Sequence, residues 1–268
     1  MEGRLQERLA DVTATRAKFV GRLIQALGPA SSTVLESTAL FHTLVFFTTL
    51  MIVIAIFAQT RRISLFSFHP VLMTLGVLCF FAQGIVAYKN KSLLEIFGPI
   101  MQHNKRIKVR VIHQSLQLLG TGFVGMGLLF IFANKAMEKK TIFPHTLHSL
   151  FGTLAILLIA IQGTSGMQKM AQIESKPTAV KIRRWHGDSG LLLWDLLCIT
   201  MLLGMLEFLH FNLTNLLIEL CVVGCWLMVH AQMRRKGDEA EGDVQASVEL
   251  VGASSAGGGG AQDGHQEL

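Results

Sequence analysis

The chain has 268 residues, of which 51% are hydrophobic and only 16% charged, with a formal net charge of +6. A soluble domain carries about 25% charged residues, so this composition excludes an ordinary water-soluble enzyme and indicates an integral membrane protein. The four cysteines, Cys79, Cys198, Cys221 and Cys225, all fall inside apolar stretches, so no disulfide framework is expected.

Residues 1–36 carry Leu5, Leu9, Val12, Phe19, Leu23 and Leu27 at helical steps with Arg and Lys between them. This pattern predicts a basic amphipathic arm on the cytoplasmic leaflet, and a partly disordered arm fits it equally well. Six apolar runs come next, at 37–58, 63–88, 109–133, 144–167, 185–208 and 211–232. Each is long enough for a spanning helix, which needs about 17–25 residues. The runs are continuous, not alternating, which excludes strands. The fold class expected is all-α: a six-helix transmembrane domain over 37–232, followed by an acidic, then Ser/Ala/Gly-rich, disordered tail over 233–268. No removable signal peptide is expected ahead of the first run.

Of the 24 Lys and Arg residues, 19 fall in the N-terminal arm, the second and fourth loops and the tail. The positive-inside rule then places both termini in the cytoplasm. The same asymmetry accounts for the basic charge without nucleic-acid binding.

Intramembrane histidines are functional-site candidates, because imidazole in hydrocarbon is costly. His69, His113, His148 and His186 stand near the starts of spans two, three, four and five. Successive spans run in opposite directions. His69 and His148 therefore share the non-cytoplasmic side, and His113 and His186 the cytoplasmic side. With each ligand about 8 Å below its surface, the pairs should lie roughly 15 Å apart along the normal. Zinc prefers three or four ligands at one point. Two imidazoles at each of two points suit the two axial positions of a haem iron. Gly76, Gly120, Gly152 and Gly190 follow the histidines at steps of 7, 7, 4 and 4 on the same helix face, where a flat ring could lie. Small-residue helix packing is the competing reading. His42 in span one has no such framing and reads as structural or interfacial.

Other polar residues group around these pairs. Gln83 and Gln162 each follow a histidine by 14 residues, close to four turns, and are candidates to hydrogen-bond the inner cofactor. Lys108, Arg183 and Arg184 form a cationic mouth over the inner pair, able to steer an anionic reductant. His145, at the aqueous rim of span four, is a candidate for the outer substrate site or proton exchange. Asp195 and Glu219 lie mid-span, and each must be paired, protonated or facing a polar crevice. A buried structural hydrogen bond is favoured for them over proton transfer. Asn212-Leu213-Thr214 is a sequon nearly flush with the membrane and is expected to be unused.

With these residues in place, the chain resembles the cytochrome b561 family of six-span dihaem reductases, most closely its short, domain-containing branch. The resemblance rests on Phe68-His69-Pro70, His113, the TLHSLFG stretch at 146–152, and Trp185-His186 with Gly190. It covers roughly residues 36–232. It implies a four-helix dihaem core with two bis-histidine haem b groups, His69 with His148 and His113 with His186. It implies cytosolic ascorbate as electron donor. The acceptor on the far side would be monodehydroascorbate radical or a ferric chelate. The chain departs from the family at Leu150, where a tryptophan is usual, and in a donor motif reduced to Val86-Ala87-Tyr88-Lys89. The branch implies the endoplasmic reticulum or a vesicle membrane, and a homodimer stays open. Two alternatives remain: a haem-bearing subunit serving a partner dehydrogenase or quinone, and a proton or ion transporter using the intramembrane His, Asp and Glu.

Overall fold

The computed structural model describes residues 18, 22, 37–60, 63–89, 105–175, 181–209 and 213–233, without the side chains of 105, 106, 171–175 and 181–184. The N-terminal arm except for its two described positions, Arg61 and Arg62, His103, Asn212 and the tail beyond Met233 lie outside the described residues. So do the side chains of Arg183 and Arg184.

Among the described residues, six helices are long and apolar enough to cross a bilayer, so the chain is a multi-pass integral membrane protein. We label them α1 (Thr38–Thr60), α2 (Leu65–Val86), α3 (Lys105–Met137), α4 (Leu147–Ser175), α5 (Lys181–Phe208) and α6 (Leu213–Met233). No strand occurs among the described residues.

Local chemistry sets several helix ends. Ser64 caps α2 in a reciprocal box: its hydroxyl accepts from the Ser67 amide, and the Ser67 hydroxyl accepts from the Ser64 amide. Thr146 and Ser149 make the same exchange ahead of α4. At the end of α3, Lys139 adopts a left-handed φ of 53° while the Lys140 amide reaches back to the Lys135 carbonyl. This arrangement satisfies last-turn carbonyls that would otherwise face no donor.

The helices outrun the apolar sequence at their charged ends. α3 has 33 residues, or about 50 Å at ~1.5 Å per residue, against a hydrocarbon core of ~30 Å. Once started, a helix continues through solvated Lys and Arg, which are good helix formers. Within α2, residues Leu75–Ala82 form a π-helical stretch, a feature often found beside functional sites.

Close packing joins α2 to α3 and α4 to α5, giving two antiparallel hairpins. Contact between the hairpins is slight and includes the π stretch of α2 against α5. Behind them, α1 packs on α2. A Thr48–Cys225 contact of 3.7 Å joins α1 to α6, and the Lys89 ammonium donates to the Met233 carbonyl at the end of α6, at 2.6 Å. The core is centred on fully buried Phe41, Leu78 and Trp194. Exposed Phe46, Leu118 and Leu129 are lipid-facing side chains of the kind a spanning helix requires.

Two of the four glycines expected to clear a flat ring do something else. A Cβ at Gly76 would stand 3.0 Å from the Gly120 carbonyl, and one at Gly120 would stand 2.5 Å from the Phe81 ring. These glycines let α2 and α3 approach each other, which is the small-residue packing favoured where lipid gives helices little hydrophobic reason to associate. Gly152 meets only Thr200 at an ordinary 3.6 Å, and Gly190 faces open space.

Candidate functional site

The four histidines stand as two pairs. The ring centroids of His69 and His148 are 6.3 Å apart with planes at 80°, and those of His113 and His186 are 6.4 Å apart with planes at 83°. These are the pairs that alternation of the spans expects. Each joins one hairpin to the other: His69 on α2 faces His148 on α4, and His113 on α3 faces His186 on α5.

Every imidazole is seated by its own hairpin. His69 Nδ1 donates to the Gly127 carbonyl on α3 at 3.0 Å, and His113 Nδ1 to the Gly84 carbonyl on α2 at 2.7 Å. In the other hairpin, His148 Nδ1 donates to the Thr200 carbonyl on α5 at 2.9 Å, while His186 Nδ1 lies 3.2 Å from the Ser165 hydroxyl on α4. A carbonyl only accepts, so the Nδ1 bound to it carries the proton and Nε2 keeps its lone pair. This is the tautomer of a metal-binding histidine with its outer hydrogen bond already made.

The spacing fits one metal ion per pair. With metal–nitrogen bonds of ~2.0–2.1 Å and ~1.2 Å from nitrogen to ring centre, two axial imidazoles place their centroids ~6.4 Å apart. No group of three or more metal-binding side chains occurs among the described residues. Two axial donors would leave the remaining positions of such an ion to a planar ligand such as a porphyrin.

Glycines shape the seats. A Cβ at Gly204 would press to 2.8 Å from both Nδ1 and Cε1 of His148, and one at Gly166 would lie 3.3 Å from Cε1 of His186. A Cβ at Gly84 would stand 2.6 Å from the Gln117 amide nitrogen, so this glycine brings its carbonyl to His113 and admits Gln117 one turn further along α3.

The other expected site residues are spread through both hairpins and their ends. Gln83 is buried with Oε1 unpartnered. Gln162 donates to the Ser189 hydroxyl and also leaves Oε1 unpartnered. Lys108 is half-buried on the first turns of α3, in the same helix as His113. His145 is exposed ahead of α4, with Nδ1 donating to the Phe143 carbonyl at 3.1 Å. The Tyr88 ring, at the end of α2, lies 5.1 Å from that of His113.

Asp195 is held by hydrogen bonds, as expected. Its Oδ1 accepts from Trp226 Nε1 at 2.8 Å and from His230 Nε2 at 2.6 Å, binding α5 to α6. Sequence reasoning missed His230, although Trp226 and His230 share one face of α6 at a spacing of four, which was a usable signal. It also missed Ser165, Thr200, Gly127 and Gly204, whose roles depend on the register of one helix against another.

Comparison with known proteins agrees with this arrangement. The family model "Eukaryotic cytochrome b561" matches residues 68–212, more than half of the chain and a range that contains all four paired histidines. "Transmembrane ascorbate ferrireductase 2" of Arabidopsis thaliana is 27% identical over 165 residues, covering 59% of this chain and 64% of the relative. "Transmembrane reductase CYB561D2" of Mus musculus is 29% identical over 143 residues, covering 53% and 61%. "Probable ascorbate-specific transmembrane electron transporter 1" of Oryza sativa subsp. japonica is 29% identical over 156 residues, covering 58% and 62%. The matched segment thus spans a little over three-fifths of each of these relatives. Six spanning helices, two facing histidine pairs and a family match that encloses both pairs lead to one assignment: the chain belongs to the cytochrome b561 family.

Proposed function

We propose that this chain is a transmembrane reductase carrying electrons from ascorbate on the cytoplasmic side to an acceptor on the far side, a monodehydroascorbate radical or a ferric chelate. The observation that carries the proposal is the doubled imidazole pair, with each ring spaced for axial ligation and each hydrogen-bonded through Nδ1. His69 and His148 would hold the outer haem b, and His113 and His186 the inner one. When bound, haem supplies a one-electron couple, and two axial imidazoles favour electron transfer over oxygen chemistry because no coordination position is left open.

The chain's own groups supply binding and orientation. Lys108 has the position and charge to attract an ascorbate anion at the inner surface, and Arg183 and Arg184 add to the positive field by their place in the sequence. Tyr88, against the His113 ring, belongs to the same surface. Gln83 and Gln162 offer amides to the inner group, and either amide can exchange its oxygen and nitrogen ends by a flip. His145 stands exposed at the opposite end, where an acceptor would arrive. Positive-inside charge supports cytoplasmic termini, and the branch resembled in the sequence supports the endoplasmic reticulum or vesicles.

The test is an absorption spectrum of the purified full-length protein, produced with haem available, before and after ascorbate. A two-haem spectrum that ascorbate reduces supports the proposal. Haem that ascorbate leaves oxidised favours a subunit serving a partner dehydrogenase or quinone. A colourless protein favours the transporter. Alanine at His69, His113, His148 and His186 together must abolish the haem spectrum.

A further inference from the structure

Three of the four imidazoles rest on backbone carbonyls, which no side-chain substitution replaces. The fourth, His186, rests on the side chain of Ser165, and the importance of that difference depends on the two pairs holding haem. Ser165 is buried, and its hydroxyl donates to the Gln162 carbonyl at 3.0 Å. With its hydrogen committed there, the oxygen presents a lone pair to His186 Nδ1 at 3.2 Å. Gly166 leaves the ring room beside this contact.

The seat is also the weakest of the four. A neutral hydroxyl accepts less strongly than an amide carbonyl, and 3.2 Å is the longest of the Nδ1 contacts, against 2.7, 2.9 and 3.0 Å for the others. An acceptor on Nδ1–H raises the basicity of the nitrogen bound to the metal. The poorest acceptor therefore leaves His186 the least electron-rich ligand. We propose that Ser165 is a positioning residue of the inner centre: its hydroxyl fixes the tautomer and orientation of His186 and sets that haem's reduction potential.

The experiment is a redox titration of the full-length, haem-loaded protein that resolves the two centres, comparing wild type with Ser165→Ala, Ser165→Thr and Ser165→Cys. Removing the acceptor should make the ferric state less favourable. Ser165→Ala should raise one centre's midpoint by about tenfold in its one-electron equilibrium, ~59 mV. The other centre should not move, and both haems should be retained. Ser165→Thr keeps the hydroxyl and should restore the wild-type midpoint. Unchanged potentials in Ser165→Ala, equal shifts in both centres, or a Thr variant that behaves like Ala would each overturn the proposal. If the Ala variant loses a haem, Ser165→Cys carries the measurement, because a thiol fills the same space as a weaker acceptor. A shift upward in one centre then supports the proposal, and no shift overturns it. Failure of the haem reading itself is distinct, since the wild-type protein would bind none.

Discussion

Gly204→Ala is the sharpest probe of the outer pair. The new Cβ would sit 2.8 Å from both Nδ1 and Cε1 of His148, closer than real Cβ contacts come. Relief requires the imidazole to swing away or α5 to shift. Swinging forfeits the 2.9 Å hydrogen bond to the Thr200 carbonyl, about 0.5–1.5 kcal/mol. Overpacking by one carbon adds about 1–3 kcal/mol. Together these amount to ~1.5–4.5 kcal/mol, a factor of about 10 to 2,000 in outer-site affinity if the strain falls on the ligand-binding geometry. The assay is the haem-to-protein ratio after dialysis, with the spectrum of whatever haem remains. One haem should be lost and the inner spectrum should persist. Gly76→Ala is the comparison, since its Cβ would meet Val124 and the Gly120 carbonyl at 2.9 and 3.0 Å and touch no imidazole. It should lower thermal stability without favouring loss of either haem. Two haems retained in Gly204→Ala at wild-type affinity would refute the steric reasoning.

His230→Ala should cost about 1.5–3 kcal/mol, because it removes one of the hydrogen bonds to a largely enclosed carboxylate that keeps Trp226. Thermal unfolding in detergent should drop by several degrees, and Asp195→Asn on the same background should recover part of the loss. An unchanged midpoint would mean that the α5–α6 contact is not held by this pair. Lys108→Ala should raise the ascorbate concentration needed for half-maximal reduction while leaving haem content intact, and unchanged kinetics would remove Lys108 from the donor surface. Replacing Gln83 and Gln162 together by Leu should shift the spectrum or potential of the inner centre. If both stay at wild-type values, neither glutamine acts there.

The histidine pairing was legible because it needs only the count and direction of the spans. The spacing between the pairs was less so. Alternation with an assumed depth of ~8 Å put the pairs roughly 15 Å apart along the normal. On α3, His113 and the Gly127 carbonyl that seats His69 are 14 residues apart, about 21 Å along the helix. The expected figure rested on a depth assumed from the apolar runs, whereas the spacing of the seats is set by which turns of α2 and α3 face each other. Two of the four glycines failed for a different reason. A glycine four or seven residues from a histidine shares its face, but whether a ring or another helix occupies that face depends on the partner's register. Gly76 and Gly120 met each other's helix, while Gly204, 56 residues beyond His148, proved to be the one beneath its ring. The π stretch left no mark either, since LGVLCFFA reads like any apolar run.

The arrangement of seats also separates what orients the rings from what pairs them. Each Nδ1 bond lies within a hairpin, α2 with α3 or α4 with α5, whereas each imidazole pair lies between hairpins. Each hairpin therefore orients two rings, one near each of its ends, through contacts that do not involve the other hairpin. Rotamer freedom of the four imidazoles is lost to the hairpin fold, so binding a metal between them would not have to remove it. Because direct contact between the hairpins is slight, ligation at two heights would be a large part of what holds them together. Losing one pair should then loosen one end of the bundle and leave the other end docked. Hydrogen exchange on a His148→Ala protein can read this: amides near Gly127 and Thr200 should lose protection while those near Gly84 and Ser165 keep it. Uniform loss along all four helices would mean that the hairpins dock as one unit, with metal ligation adding little to the contact at either end.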